Sequence, residues 1–167
     1  MSRSPAKILK DIHCVVYDFD GVMTDNKVTV YSDGTEAVVC HRGDGLAVSR
    51  FRKAGLLQCI ISTEKNRVVA RRAKKLRIRC IQGCNDKARA LKEYIRSNHL
   101  DLVRTAYIGN DLNDLDAMRL AGFRAAPSDS AREILDIADI VLQARGGQGV
   151  VYEFFKRWNH AVGGSER

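Results

Sequence analysis

Three short apolar runs, 12–17, 56–61 and 103–108, each end abruptly in polar residues. The first stops at Asp18-Phe19-Asp20-Gly21, the second at Ser62-Thr63, the third at Gly109-Asn110-Asp111. Runs of this length, bounded by charged and turn residues, read as buried strands. Between them lie segments with helical character at 44–54, 66–76, 86–98 and 112–121. Further strands are expected at 78–81, 122–126 and 139–142, with a helix at 130–137 and a last amphipathic helix at about 150–158. Strands alternating with helices of this length give an α/β fold, a doubly wound parallel sheet. Ligands bind such sheets beyond the carboxyl ends of the strands, so the fold gathers the three polar strand ends at one place.

One interval breaks the alternation. Residues 27–31 and 35–40 alternate polar and apolar around Ser32-Asp33-Gly34. An Asp-Gly turn between alternating segments predicts a β-hairpin, here a flap over about 27–41. Asp44 reads as the N-cap of the helix that follows, and Gly55 as its stop. A chain of 167 residues suits a single domain over 1–167, with its core at about 12–158. The tail, 163–167, is expected to be loose.

Composition narrows the function classes. A chain 45% hydrophobic and 29% charged is globular rather than disordered. No apolar run approaches the roughly 18 residues that span a bilayer, so no membrane role is expected. The polar, basic opening has no apolar signal segment behind it, which reads as cytoplasmic. Five cysteines without a paired spacing read as free thiols rather than a disulfide framework. The net charge of +8 favours an anionic partner. The densest basic stretch, Arg71, Arg72, Lys74, Lys75, Arg77 and Arg79, has no interleaved aromatics to stack bases. Nucleic acid is therefore not expected; a solvated helix face and a small phosphorylated acid both fit.

Asp18 and Asp20 sit two apart just after a buried strand. Carboxylates this close repel, and a cation neutralises them. Oxygen ligands with waters suit magnesium, which draws substrate phosphate into its shell. One carboxylate can attack phosphorus while the other moves a proton to the leaving oxygen. Gly21 lets the backbone turn and bring N–H groups to phosphate. A turn or helix cap is the plainer reading of the same pair. Ser62 and Thr63 offer hydroxyl and N–H donors to phosphate, or simply cap a helix. Lys87 lies in a first helical turn, where the macrodipole disfavours a cation. Asp111 and Asp114, with Asn110 and Asn113, follow the third run, where Asp111 could equally be a cap.

The order of these residues resembles the haloacid dehalogenase superfamily of phosphohydrolases. Asp18-Phe19-Asp20-Gly21-Val22-Met23-Thr24-Asp25 is similar to its first motif, Ser62 to its second, Lys87 to its third, and 109–114 to its fourth. The resemblance covers about 12–155. No interval can house a cap domain, which resembles the capless subgroup of 3-deoxy-octulosonate 8-phosphate and 3-deoxy-nonulosonate 9-phosphate phosphatases. Arg42-Gly43-Asp44-Gly45 and Gly146-Gly147-Gln148-Gly149 are similar to that subgroup as well.

The resemblance implies a magnesium-dependent phosphomonoesterase acting on a phosphorylated 2-keto-3-deoxy sugar acid. Asp18 would be nucleophile and metal ligand, Asp20 general acid/base and metal ligand, and Ser62 a phosphoryl holder. Lys87 would neutralise charge on the aspartyl-phosphate, and Asn110, Asp111 or both would complete the metal site. Gly21, Thr63, Glu64 and Arg72 would contact substrate, Glu64 and Arg72 by reaching into a neighbour's site within a homotetramer. Two positions depart from the pattern: Asn110 stands where Asp is usual, and Tyr152 where Arg is usual. They keep open an alternative, a non-catalytic or weakly active oligomerising domain linked to sialic-acid-type sugar activation.

Overall fold

The structure, a computed structural model, describes residues 5–164. A helix α1 (Pro5–Asp11) leads into β1 (Cys14–Tyr17), followed by the hairpin strands β2 (Thr29–Val30) and β3 (Glu36–Ala37). Then come α2 (Arg42–Lys53), β4 (Leu57–Ile61), α3 (Arg67–Leu76), β5 (Arg79–Ile81) and α4 (Lys87–Ser97). β6 (Thr105–Ile108), α5 (Leu115–Leu120), β7 (Phe123–Ala126), α6 (Arg132–Ile137), β8 (Ile140–Val141) and α7 (Val150–Ala161) complete the order. The main sheet has six strands in the order β5-β4-β1-β6-β7-β8, every pair parallel. The expected doubly wound α/β sheet is the fold.

β1 is central and fully buried on both faces, as parallel strands are. Val15 and Tyr17 point into one core with Phe51 of α2 and Phe154 and Trp158 of α7. Cys14 and Val16 point into the other with Leu91 of α4 and Met118 of α5. The register pairs Tyr17 with Ile60 of β4 and with Ile108 of β6. Asp18, Ser62 and Asn110 therefore lie just past the same ends of three adjacent strands.

Several boundaries differ from the sequence expectation. Asp44 does not cap α2. His41 does, its Nδ1 accepting from Gly43 N at 3.1 Å, so the helix starts at Arg42 and Asp44 lies buried in its first turn. Asp44 instead accepts from Tyr152 N at 3.0 Å and so joins α2 to the start of α7. The expected helix at 112–121 opens as a 3-10 turn, Leu112–Asp114, before α5, and the run at 103–108 begins inside another, Leu102–Arg104, so its strand starts at Thr105. α1 was not anticipated; its seven residues are too few for an apolar periodicity to stand out. Of the tail, 165–167 lie outside the described residues. Among the described residues, no helix is long and apolar enough to cross a membrane.

The hairpin pairs as expected, Thr29 with Ala37 and Val30 with Glu36. Asp33 fixes its turn, accepting from Thr35 N at 2.9 Å and from the Thr35 hydroxyl at 2.7 Å.

Candidate active site

Asp18 N donates to Ile108 O at 2.9 Å, the last rung of the β1–β6 ladder, which fixes the carboxylate at the strand end. Asp18 Oδ1 accepts from Phe19 N at 2.7 Å and lies 2.8 Å from Lys87 Nζ. The same ammonium lies 2.8 Å from Asp114 Oδ1 and donates to Asn113 Oδ1 at 3.3 Å. All three charged groups are buried. Burial works against the Lys87 charge, but Asp18 and Asp114 outweigh it and hold its pKa above the usual lysine range. Burial and the neighbouring Asp114 raise the Asp18 pKa, against the pull of Lys87 and the Phe19 N–H.

Asp114 is the anchor of this cluster. Its Oδ1 also accepts from Tyr107 OH at 3.0 Å, and its Oδ2 from Asn110 N at 3.0 Å and Asp111 N at 3.3 Å. A buried carboxylate is retained where every lone pair is used in this way. Tyr107 gave no signal in the sequence, because it is one apolar-run residue among several. Asp114 stood out in the sequence only as one of several polar residues after the third run.

The Asn110 amide faces the other side of Asp18. One of its terminal atoms lies 2.9 Å from Asp20 O and 3.2 Å from Asp18 Oδ2. With nitrogen there, the amide donates to both. With oxygen there, three oxygens converge at separations near the ~3 Å between adjacent ligands of an octahedral magnesium ion. Gly21 is required beside it: at φ +82° a Cβ would overlap the Asn110 amide. Asp111 does not join this group. It is exposed, and its Oδ1 accepts from Leu112 N at 2.7 Å, so the capping alternative describes it. Asp20 also enters differently from the expectation, presenting its backbone carbonyl, not its carboxylate, to Asn110.

The Asp20 carboxylate accepts from the Thr24 hydroxyl at 3.3 Å. Burial raises its pKa, and Thr24 opposes the rise. Thr24 also receives Gly21 N and Asn26 N, so it knits the loop that carries Asp20. The late glycines pack on this loop. Gly147 N donates to Val22 O at 3.1 Å, and a Cβ on Gly146 would overlap Gly21 O.

Ser62 is buried, its N donating to Ile81 O and its Oγ accepting from Glu64 N at 3.1 Å, which leaves its O–H free to donate. Thr63 beside it is half-buried. Glu64 Oε1 accepts from Lys65 N and Asn66 N, and Arg72 donates to His41 O at 3.1 Å. Neither makes a hydrogen bond or ion pair with Asp18. Asn66 Nδ2 donates to Glu36 Oε2 at 2.7 Å, tying the hairpin to the loop after β4. Tyr152 stands apart, its ring 5.5 Å from Lys156 Nζ. Among the described residues, no three His, Cys, Asp or Glu side chains form a metal cluster. The convergent oxygens around Asn110 include only one acidic side chain.

Residues 53–154 match the family described as haloacid dehalogenase-like hydrolase. That span holds Ser62, Lys87 and Asn110. A 3-deoxy-D-manno-octulosonate 8-phosphate phosphatase from Haemophilus influenzae is 29% identical over 146 residues, 87% of this chain and 81% of that protein. The structure of such a phosphatase from Moraxella catarrhalis, in complex with a magnesium ion, a phosphate ion and KDO, is similar at TM-score 0.92. It is 32% identical, with 95% of this chain and 92% of that one covered. The cobalt-bound Haemophilus influenzae phosphatase reaches TM-score 0.90 at 28% identity, with 93% and 92% covered.

Proposed function

This chain belongs to the haloacid dehalogenase-like hydrolases, and from that premise we propose a magnesium-dependent phosphomonoesterase for a phosphorylated 2-keto-3-deoxy sugar acid. The substrate is of the octulosonate 8-phosphate or nonulosonate 9-phosphate type. The whole chain acts as one capless unit. The observation that carries this reading is the buried Asp18–Lys87–Asp114 cluster with Asn110 and the Asp20 carbonyl on its other side. The relatives named for octulosonate phosphate support the substrate class.

The Asp18 carboxylate forms a bond to phosphorus as the bond from phosphorus to the sugar oxygen breaks. Asp20, kept protonated more readily by burial, gives its proton to that oxygen. Ser62 donates to the transferring phosphoryl group, and Lys87 offsets its charge beside Asp18. Water then attacks phosphorus, Asp20 takes one water proton, and the bond to Asp18 breaks to release phosphate. Asp18, the Asp20 carbonyl and the Asn110 amide oxygen fit magnesium, given their convergence. When bound, the ion offsets negative charge on Asp18 and phosphate.

The exposed hairpin supports assembly into a homotetramer. Within it, Thr63 lies at the phosphate end of the site, while Glu64 and Arg72 read the sugar acid of a neighbouring copy.

A second reading has its own observation. With nitrogen turned inward, Asn110 closes the site by hydrogen bonds to Asp18 and Asp20 without a cation. That suits a weakly active or non-catalytic oligomerising domain. Hydrolysis of an aryl phosphate and of the two sugar phosphates, titrated with magnesium, separates them. The wild type is expected to turn over only with magnesium. Asn110→Asp adds a charge worth about 4 kcal/mol at ~4 Å with an effective dielectric near 20. It should lower the half-maximal magnesium concentration about tenfold, with a smaller effect on saturated turnover. Activity appearing only in Asn110→Asp favours the second reading, and an unchanged magnesium response refutes loose metal binding at Asn110.

A further inference from the structure

Between the flank of α2 and the last turns of α3 lies a cleft of about 590 Å³. Arg42, Arg52, Arg72, Lys75 and Arg77 line it, with Cys40 at one end and no acidic residue. Asp18, Asp20, Ser62 and Lys87 do not reach it. Six arginines elsewhere pair with carboxylates: Arg89 with Glu93, Arg119 with Asp116, Arg124 with Asp139, Arg132 with Asp136, Arg145 with Asp129 and Arg157 with Glu153. Among the described residues, none of the five cations of the cleft has such a partner.

Two of them are held in place by backbone instead. Arg52 donates to Leu76 O at 2.8 Å and Arg72 to His41 O at 3.1 Å. Both guanidinium groups are thus oriented without losing their charge. Arg72 Nε is buried with no hydrogen-bond partner. Asp44, the carboxylate that acts on Arg72 from α2, is buried and bound to Tyr152 N. A neighbouring groove shares Arg52 and Arg77 and adds Arg79, with Glu93 its one carboxylate.

We propose that this cleft binds an oligophosphate anion through Arg42, Arg52, Lys75 and Arg77, at a site separate from the strand-end centre, with Arg72 left to the sugar acid. Guanidinium forks match phosphate oxygens two at a time. One phosphate, with a charge of about −2, leaves half of these four cations unneutralised. A linear di- or triphosphate spans several of them. The cleft volume falls within the range of small-molecule sites.

The test is calorimetric titration of inorganic tripolyphosphate into the full chain in EDTA, so that no metal-dependent site contributes. The comparison is a Lys75→Gln/Arg77→Asn double variant. Neither side chain makes a hydrogen bond or ion pair in the fold, and Asn tolerates the left-handed φ of 58° at position 77. The expected result is one tripolyphosphate per chain, bound at least about tenfold more weakly by the double variant, whose aryl-phosphate turnover is unchanged. Absent binding, or equal binding by the double variant, overturns the proposal. So does binding that is lost in Lys87→Ala but kept in the double variant, because it places the anion at the strand-end centre.

Discussion

At the scale of residues, the site is a set of buried charges that neutralise one another. Lys87 was conspicuous in the sequence because a lysine in a first helical turn opposes the macrodipole. Its position between Asp18 and Asp114 supplies the compensation. Asp44 is a separate buried carboxylate. Its Oδ1 has Tyr152 N, but its Oδ2 is buried without a partner. Burial pushes its pKa up to about 6, eased by the Tyr152 N–H, His41 and Arg72. The folded chain then holds this proton more tightly than the unfolded one. The associated stability is complete below the ordinary value of 3.8 and is lost as pH rises through about 6. Asp44→Asn keeps an acceptor for Tyr152 N and removes the charge. Thermal melts should show the variant more stable by on the order of 5 °C at pH 8, the gap closing toward pH 4. A gap that is constant with pH or reversed would refute this account of Asp44.

At the scale of elements, the hairpin is the part with an unfinished surface. Val28, Val30, Tyr31 and Val39, on and beside two strands of two residues each, are between 52% and 77% exposed. A lone hairpin is marginal in water, and this one is tied to the body through Glu36 and Asn66. In the proposed tetramer these apolar side chains would find cover on other copies. Light scattering at micromolar concentration should give a tetramer for the wild type and a smaller species for Val30→Ser/Tyr31→Ser, with reduced sugar-phosphate turnover. A fully active wild-type monomer would contradict it. The hairpin was legible because alternation and Asp-Gly are local signals. Asp44 was misplaced as a cap for the opposite reason: its role is a hydrogen bond to Tyr152, far along the chain. His41 does the capping with a ring nitrogen, outside the usual Ser, Thr, Asp and Asn.

At the scale of the whole molecule, the parallel sheet does the assembling. Asp18, Ser62 and Asn110 are far apart in sequence, and the pairing of β1 with β4 and β6 puts them at one edge. That much followed from apolar runs ending in polar residues. Which atoms face which did not: Asp20 presents a carbonyl to Asn110, Asp111 turns to its own helix, and Asp114 turns inward to Lys87. Such choices depend on backbone direction after each strand, which spacing alone does not encode. The central claim, that Asp18 carries the phosphoryl group, is tested most directly by acid-quenching the enzyme during turnover of a sugar phosphate with magnesium. Peptide mass analysis should find one added phosphoryl group on Asp18, absent from Asp18→Asn, whose turnover falls by several orders of magnitude. Steady turnover with an unmodified Asp18, together with an active Asp18→Asn variant, would contradict it.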